Sequence, residues 1–67
     1  MCNVFGERLR HIRERKELTQ TQVAYKLGVH INTISRFELG LHYPTMMNLI
    51  SLADLFGVSI DYLVGRE

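Results

Sequence analysis

Four residues in one short segment, Ile31, Asn32, Thr33 and Arg36, have side chains that could contact the edges of DNA bases. An arginine can donate two hydrogen bonds to guanine, an asparagine can bond adenine at two points, and an apolar side chain can contact a thymine methyl group. Because Asn32 and Arg36 are four positions apart, a helix places them one turn apart on the same face. The spacing predicts a base-reading surface, and the alternative is an ordinary solvated helix face.

Two short helices joined by a tight turn are expected to position these residues, within the run from Gln20 to Gly40. Their apolar positions are Val23, Ala24, Leu27, Ile34 and Phe37. Gly28 lies where the first helix must end, since glycine adopts the left-handed conformation without a Cβ clash. The pattern predicts a helix-turn-helix over residues 19–40, whose second helix, residues 31–38, enters a DNA major groove.

The remaining chain predicts three further helices and no strand. The first runs from Val4 to Lys16 or Glu17, because Phe5, Leu9 and Ile12 recur on one helical face. Capping residues begin the other elements, namely Thr19 with Gln22 in a capping box, His30, Thr45 and Ser59. The fourth helix is expected to bury one face formed by Met46, Leu49, Ile50, Ala53 and Phe56. We therefore predict an all-α, compact five-helix bundle that forms one domain over residues 1–67.

The charge is small overall but unevenly distributed. The chain has a net charge of +1, with seven Lys or Arg against four Asp or Glu in residues 1–40 and one against three in residues 41–67. The basic half therefore contains the predicted helix-turn-helix, where a phosphate-facing surface would have to lie.

Several classes of protein are disfavoured by composition. No apolar run approaches the ~20 residues of a membrane span, and the N-terminus lacks the pattern of a signal peptide. Cys2 is the only cysteine and cannot form an internal disulfide, which fits a reducing cytoplasm. The three histidines, His11, His30 and His42, are scattered, and no zinc-binding spacing or glycine-rich phosphate loop occurs. We expect no enzyme activity, no metal, no cofactor and no small-molecule ligand.

The segments LTQTQVAYKLGVHINTISRFELG and YPTMMNLISLADLFGVSIDYLVG resemble the phage repressor and Cro-type helix-turn-helix domain, also called the Xre family, over about residues 5–65. The resemblance implies a five-helix, lambda-repressor-like domain that regulates transcription by binding operators and is usually dimeric on double-stranded DNA. The leading interpretation is a repressor that binds a palindromic operator as a homodimer. The alternative is a protein-interaction module of the same fold, an antitoxin or coregulator that acts through protein contacts.

The resemblance also places a DNA-backbone contact at Gln20, at the start of the second helix. Helix N-termini offer free N–H groups and a positive dipole end to phosphate. Further phosphate contacts are expected from Thr19, Ser35, Arg10, Lys26 and His42. For each cation, a merely solvated charge is the alternative.

The family often pairs an arginine of the first helix with a glutamate near the end of the third, and these positions are Arg13 and Glu38 here. We expect this ion pair to be structural and to hold the recognition helix on the scaffold.

The chain departs from the family pattern in the loop after the third helix, which is apolar where polar residues are usual. Leu41, Tyr43 and Met47 are candidates for an exposed surface that contacts a protein partner. In the alternative, Tyr43 and one methionine fold back onto the core. A second candidate surface is the fifth helix, where Ile60, Leu63 and Val64 are expected to form a dimer interface.

Overall fold

Five α-helices make up the fold in a computed structural model that describes residues 4–67. They are α1 (Val4–Arg15), α2 (Gln20–Leu27), α3 (Ile31–Leu39), α4 (Met46–Phe56) and α5 (Ile60–Val64). Residues 4–67 contain no strand, so the predicted all-α, five-helix architecture is confirmed. Cys2 lies outside the described residues. No helix in the described part of the chain is long and apolar enough to span a membrane.

Local sequence signals determine where α2 begins and ends. The Thr19 hydroxyl accepts a hydrogen bond from the Gln22 N–H at 3.1 Å, and the Gln22 side chain accepts one from the Thr19 N–H at 2.7 Å. This reciprocal pair is the predicted capping box, which satisfies two amides that the first turn leaves unpaired. At the other end Gly28 adopts φ 77° and ψ 31°, the left-handed conformation that allows the chain to turn into α3.

One apolar core holds the helices together. Its fully buried side chains are Leu9, Val23, Ile34, Phe37, Leu52 and Leu63. Phe5 of α1 packs edge-to-face on Phe37 of α3, with ring centroids 5.5 Å apart, a favourable arrangement of two aromatic quadrupoles. Ala24 is also buried, and its small side chain allows α2 and α3 to pack closely.

The buried face of α4 differs from the prediction. Leu49, Leu52, Ala53 and Phe56 pack on the core, whereas Met46 and Ile50 are exposed. Helix α4 has two apolar stripes, and the predicted buried face combined residues from both stripes. Hydrophobic spacing alone could not identify which stripe faces the core, because each has helical periodicity.

Candidate nucleic-acid interface

Helix α3 has one buried face and one solvent-facing side. Ile34 and Phe37 are fully buried, while Ile31, Asn32 and Arg36 are exposed. Thr33 is half-buried, so its side chain is less available than those of its neighbours. The predicted base-reading residues Asn32 and Arg36 are therefore both open to solvent on one helix.

An ion pair attaches α3 to α1. Arg13 Nε donates to Glu38 Oε2 at 2.6 Å, and Arg13 Nη2 donates to Glu38 Oε1 at 3.1 Å. The side chains are 13% and 5% exposed, so solvent screens the pair only weakly. Hydrogen bonding to Glu38 raises the pKa of Arg13 above its usual value, although burial opposes this rise. The predicted ion pair is present in a two-point geometry that fixes orientation as well as distance.

Two further hydrogen bonds extend this pair to the start of α2. Arg13 Nη1 donates to the Leu18 carbonyl oxygen at 2.9 Å, and Gln20 Nε2 donates to Glu38 Oε1 at 3.0 Å. Glu38 thereby joins α1, α2 and α3 through charged and polar contacts. The Gln20 side chain is thus oriented toward Glu38. The phosphate contact predicted at this position would therefore come from the backbone N–H groups of the first turn of α2.

The other predicted phosphate contacts are spread over several elements. Lys26 is exposed in the last turn of α2, and Ser35 is half-buried on α3. Arg10 is exposed on α1 and forms an ion pair with Glu14, with Nε 3.2 Å from Oε2. The exposed His42 ring has its centroid 6.2 Å from that of Phe37. Thr19 is exposed beside Gln20, but its hydroxyl is already used in the capping box.

The predicted dimer surface on α5 needs one correction. Leu63 is fully buried in the core of its own domain, so it cannot offer a free surface to a second copy. Ile60 is half-buried against that core, and Val64 is 40% exposed. The prediction was wrong for Leu63 because so short a helix has one apolar face, and α1 and α4 already use its centre.

The loop after α3 presents the expected apolar surface. Leu41, Tyr43 and Met47 are 70%, 68% and 74% exposed, and Met46 is exposed beside them. The alternative in which Tyr43 and a methionine fold back onto the core is wrong. We call Leu41, Tyr43, Met46 and Met47 the apolar loop surface.

Sequence reasoning did not identify two features. Tyr25 is 87% exposed on α2. The spacing of the apolar residues Val23, Ala24 and Leu27 could have predicted this exposure, because it places position 25 on the opposite face of the helix. Arg8 Nη1 donates to the Tyr62 carbonyl oxygen at 2.8 Å, and its guanidinium lies 4.6 Å from the centroid of the Tyr62 ring. This link between α1 and α5 joins residues 54 positions apart, and no local pattern could have revealed it.

Two surface depressions occur away from α3. An open cleft of about 560 Å³ is lined by Glu7, Arg8, His11, Tyr62 and Glu67. A smaller, apolar groove of about 240 Å³ is lined by Val4, Phe5, Tyr43, Pro44, Leu49 and Val64. Among residues 4–67 no group of three His, Cys, Asp or Glu side chains could hold a metal ion.

Two helices, a left-handed glycine turn and an exposed face on the second helix define a helix-turn-helix domain. A family model described as a helix-turn-helix domain matches residues 4–63, and the chain belongs to this family. It is not a family of enzymes, in agreement with the expectation from the sequence.

Similar proteins are regulators of transcription. The chain is 40% identical over 60 residues to the cryptic phage CTXphi transcriptional repressor RstR of Vibrio cholerae, covering 90% of this chain and 54% of RstR. It is 41% identical over 63 residues to the transcriptional activator BcrR of Enterococcus faecalis, covering 94% of this chain and 31% of BcrR. The chain thus spans about half the length of the first relative and about a third of the second.

The fold also matches a solved structure. The DNA-binding domain of the P22 C2 repressor superposes with a TM-score of 0.86 at 31% sequence identity, covering 96% of this chain and 86% of that domain. This likeness confirms the predicted repressor-type fold.

Proposed function

We propose that this protein is a sequence-specific DNA-binding regulator of transcription whose helix α3 lies in the major groove of double-stranded DNA. The observation that carries the proposal is the pair of exposed side chains Asn32 and Arg36, one turn apart on a helix whose opposite face is buried. Major-groove reading needs this combination, because the buried face fixes the helix while the exposed face contacts bases.

Each base-reading residue has a distinct role in this proposal. Arg36 donates to the O6 and N7 acceptors of a guanine, and Asn32 bonds the N6 and N7 edge of an adenine. Ile31, exposed at the start of α3, contacts a thymine methyl group, and Thr33 contacts the same region through its hydroxyl. Residues at the start of a recognition helix reach base edges first, which favours the three positions from 31 to 33.

Phosphate contacts hold the domain on the duplex in one register. The start of α2, with Thr19 and Gln20, contacts one phosphate through its N–H groups. The flanking contacts come from Ser35, Arg10, Lys26 and His42. Because Glu38 of the recognition helix accepts hydrogen bonds from both Gln20 and Arg13, the start of α2 is connected directly to α3.

We further propose that the protein acts in the cytoplasm as a homodimer on a palindromic operator, and that its regulatory effect is repression. A two-fold dimer places two recognition helices ~34 Å apart, one turn of DNA, so that each reads one half-site. Val64, with the edge of Ile60, supplies the α5 part of this interface. Repression is favoured because two of the similar proteins, RstR and the P22 C2 repressor, are repressors, whereas one, BcrR, is an activator.

The experiment that tests this function is selection of bound duplexes from a randomised DNA pool. We expect a palindromic motif, and Arg36→Ala should lose the preference at one base pair in each half-site. Arg66→Ala is the matched control, since it removes the same charge from an exposed position beyond α5. Failure to enrich any motif, at salt concentrations where the protein still binds DNA, would contradict the proposal. Sedimentation as a monomer on the selected duplex would contradict the dimer alone.

A second function is favoured by a separate observation, the apolar loop surface. Side chains that are two-thirds exposed in a group are unusual unless a partner covers them. In this candidate function the domain is an antitoxin or coregulator, and Leu41, Tyr43 and Met47 contact a protein. Retention on immobilised bulk DNA separates the two functions, because phosphate contacts release counterions and make retention salt-dependent. Retention that is weak and insensitive to salt would favour the protein-interaction function.

A further inference from the structure

We propose that His30 is a positioning residue for DNA reading, because its neutral imidazole orders the first turn of the recognition helix. The inference rests on the proposed function and assigns a role to a residue outside the base-reading set. His30 lies just before α3 with extended backbone angles, φ −74° and ψ 150°. Its Nδ1 accepts a hydrogen bond from the Asn32 N–H at 3.1 Å.

This contact acts on the residues that are proposed to read bases. The first turn of any helix has N–H groups without intrahelical partners, and a side-chain acceptor at the N-cap satisfies one of them. Here the satisfied group belongs to Asn32 itself. The His30 carbonyl oxygen also accepts from the Thr33 N–H at 2.9 Å. Backbone and side chain of one residue therefore hold the turn that carries Asn32 and Thr33.

Histidine differs from the usual capping residues because protonation changes its bonding. An imidazole nitrogen that accepts a hydrogen bond carries no proton, so the neutral ring has its proton on Nε2. The protonated ring has a proton on both nitrogens and cannot accept from the Asn32 N–H. It also places a positive charge at the positive end of the helix dipole. Protonation of His30 thus removes the cap and opposes the helix start.

His30 is exposed, and within residues 4–67 no ion pair involves its ring. The charged side chains of the two flanking helices are Lys26 on α2 and Arg36 and Glu38 on α3, and Glu38 is bound to Arg13.

A proton on His30 also adds attraction to phosphate, and the test must separate this effect from the loss of the cap. Attraction to phosphate raises affinity for any duplex. The cap instead orders residues that distinguish one sequence from another. The quantity to measure is therefore the specificity ratio, the affinity for a selected duplex divided by that for a scrambled duplex of equal length at equal salt.

We expect His30→Ala to lower the specificity ratio about five-fold at pH 7.5, which is the fold-change equivalent to the stability that a helix typically loses with its cap. His30→Asn is the matched control, because asparagine keeps a side-chain acceptor and does not titrate. In the unmodified protein the ratio should fall as the pH is lowered, because a protonated imidazole cannot accept the Asn32 N–H, whereas it should stay constant in His30→Asn. A ratio that rises at low pH in the unmodified protein, or that falls equally in His30→Asn, overturns the proposal.

Hydrogen exchange of the Asn32 amide without DNA tests the cap separately. We expect its protection factor at pH 7.5 to fall in His30→Ala and to persist in His30→Asn. Unchanged protection in His30→Ala overturns the inference. If the DNA pool yields no selected duplex, the proposed function fails. Hydrogen exchange of the Asn32 amide then still tests whether His30 caps the helix.

Discussion

Arg13 and Glu38 form a two-point ion pair across 25 positions of sequence, with Nε–Oε2 and Nη2–Oε1 separations of 2.6 and 3.1 Å. The pair joins α1 to the end of α3, and Gln20 donates to the same carboxylate. Packing of Ile34 and Phe37 determines which face of α3 is buried. The ion pair adds a directional contact, which fixes how α3 lies against α1.

Removing one member of this pair should destabilise the domain strongly. Arg13→Met removes the cation that faces Glu38 in a site where the Glu38 side chain is only 5% exposed, and removing one partner of a buried ion pair costs ~3–5 kcal/mol. The double variant Arg13→Met/Glu38→Leu should lose less than Arg13→Met, because apolar pairs often replace buried ion pairs at little cost. Urea denaturation gives both free energies of unfolding. A double variant less stable than Arg13→Met would contradict this reasoning.

Arginine charge at this site should not make stability depend on pH. The pKa of Arg13 is raised in the folded protein by its hydrogen bond to Glu38. A raised pKa contributes stability that is fully present below the unfolded-state value and is lost only as pH rises through the folded-state value. Both values lie far above neutrality, so this contribution is constant from pH 5 to pH 9.

The sequence was sufficient for the parts of the fold that local physics determines. Thr19 with Gln22 and the left-handed Gly28 determine the ends of α2, and the structure has both features. The buried and exposed sides of α3 also follow from spacing, since Ile34 and Phe37 share one face. These features depend on residues within about one helical turn, where steric rules and hydrogen bonding leave few alternatives.

Features that depend on distant partners could not be predicted in this way. Leu63 is buried because both α1 and α4 pack against α5, and Arg8 contacts Tyr62 from 54 positions away. Met46 and Leu52 lie on two apolar stripes of one helix, and only tertiary packing distinguishes them. The resemblance to a family supplied the Arg13–Glu38 pair, which no periodicity in the chain indicates.

Two helix ends offer opposite tests of backbone strain. Glu17, just after α1, has φ 58°, while Gly28 has φ 77°. A left-handed conformation costs a residue with a Cβ ~1–2 kcal/mol. Glu17→Gly should therefore raise the free energy of unfolding by about 1 kcal/mol, and Gly28→Ala should lower it by a similar amount. Apart from Gly28 itself and its two chain neighbours, no atom lies within 4 Å of a Cβ added at Gly28, so backbone strain is the only cost expected there.

Thermal denaturation of these variants provides the measurement, with Gly28→Asn as the control. Asparagine tolerates the left-handed region better than alanine. It should therefore retain part of the stability that Gly28→Ala loses. Equal losses for alanine and asparagine would show that strain is not the cause.

The two stripes of α4 should respond differently to truncation. Leu52→Ala removes a fully buried side chain and should cost ~2–5 kcal/mol, whereas Met46 is 62% exposed, so Met46→Ala should change stability by less than ~0.5 kcal/mol. Denaturant unfolding of the two variants compares an exposed and a buried position of the same helix and leaves its capping residues, Thr45 and Gly57, unchanged. A large loss in Met46→Ala would mean that the apolar loop surface is covered within the protein itself.

Salt dependence of DNA binding should identify which cations contact phosphate. Each neutralised phosphate contributes about 0.9 to the slope of log affinity against log salt concentration. Lys26 has no ion-pair partner among residues 4–67, whereas Arg10 is paired with Glu14 at 3.2 Å. Lys26→Gln should therefore reduce the slope by about 0.9, and Arg10→Gln should reduce it by less, because Glu14 already offsets part of its charge.

The matched control for this measurement is Arg66→Gln, which removes an exposed charge beyond α5 and should leave the slope unchanged. All three variants are compared on one duplex over one range of salt, since affinities at different salt concentrations cannot be compared. An equal reduction in all three variants would show that overall charge governs binding. An unchanged slope in Lys26→Gln would mean that the last turn of α2 does not contact the DNA backbone, and the phosphate contacts would then depend on the start of α2 at Thr19 and Gln20.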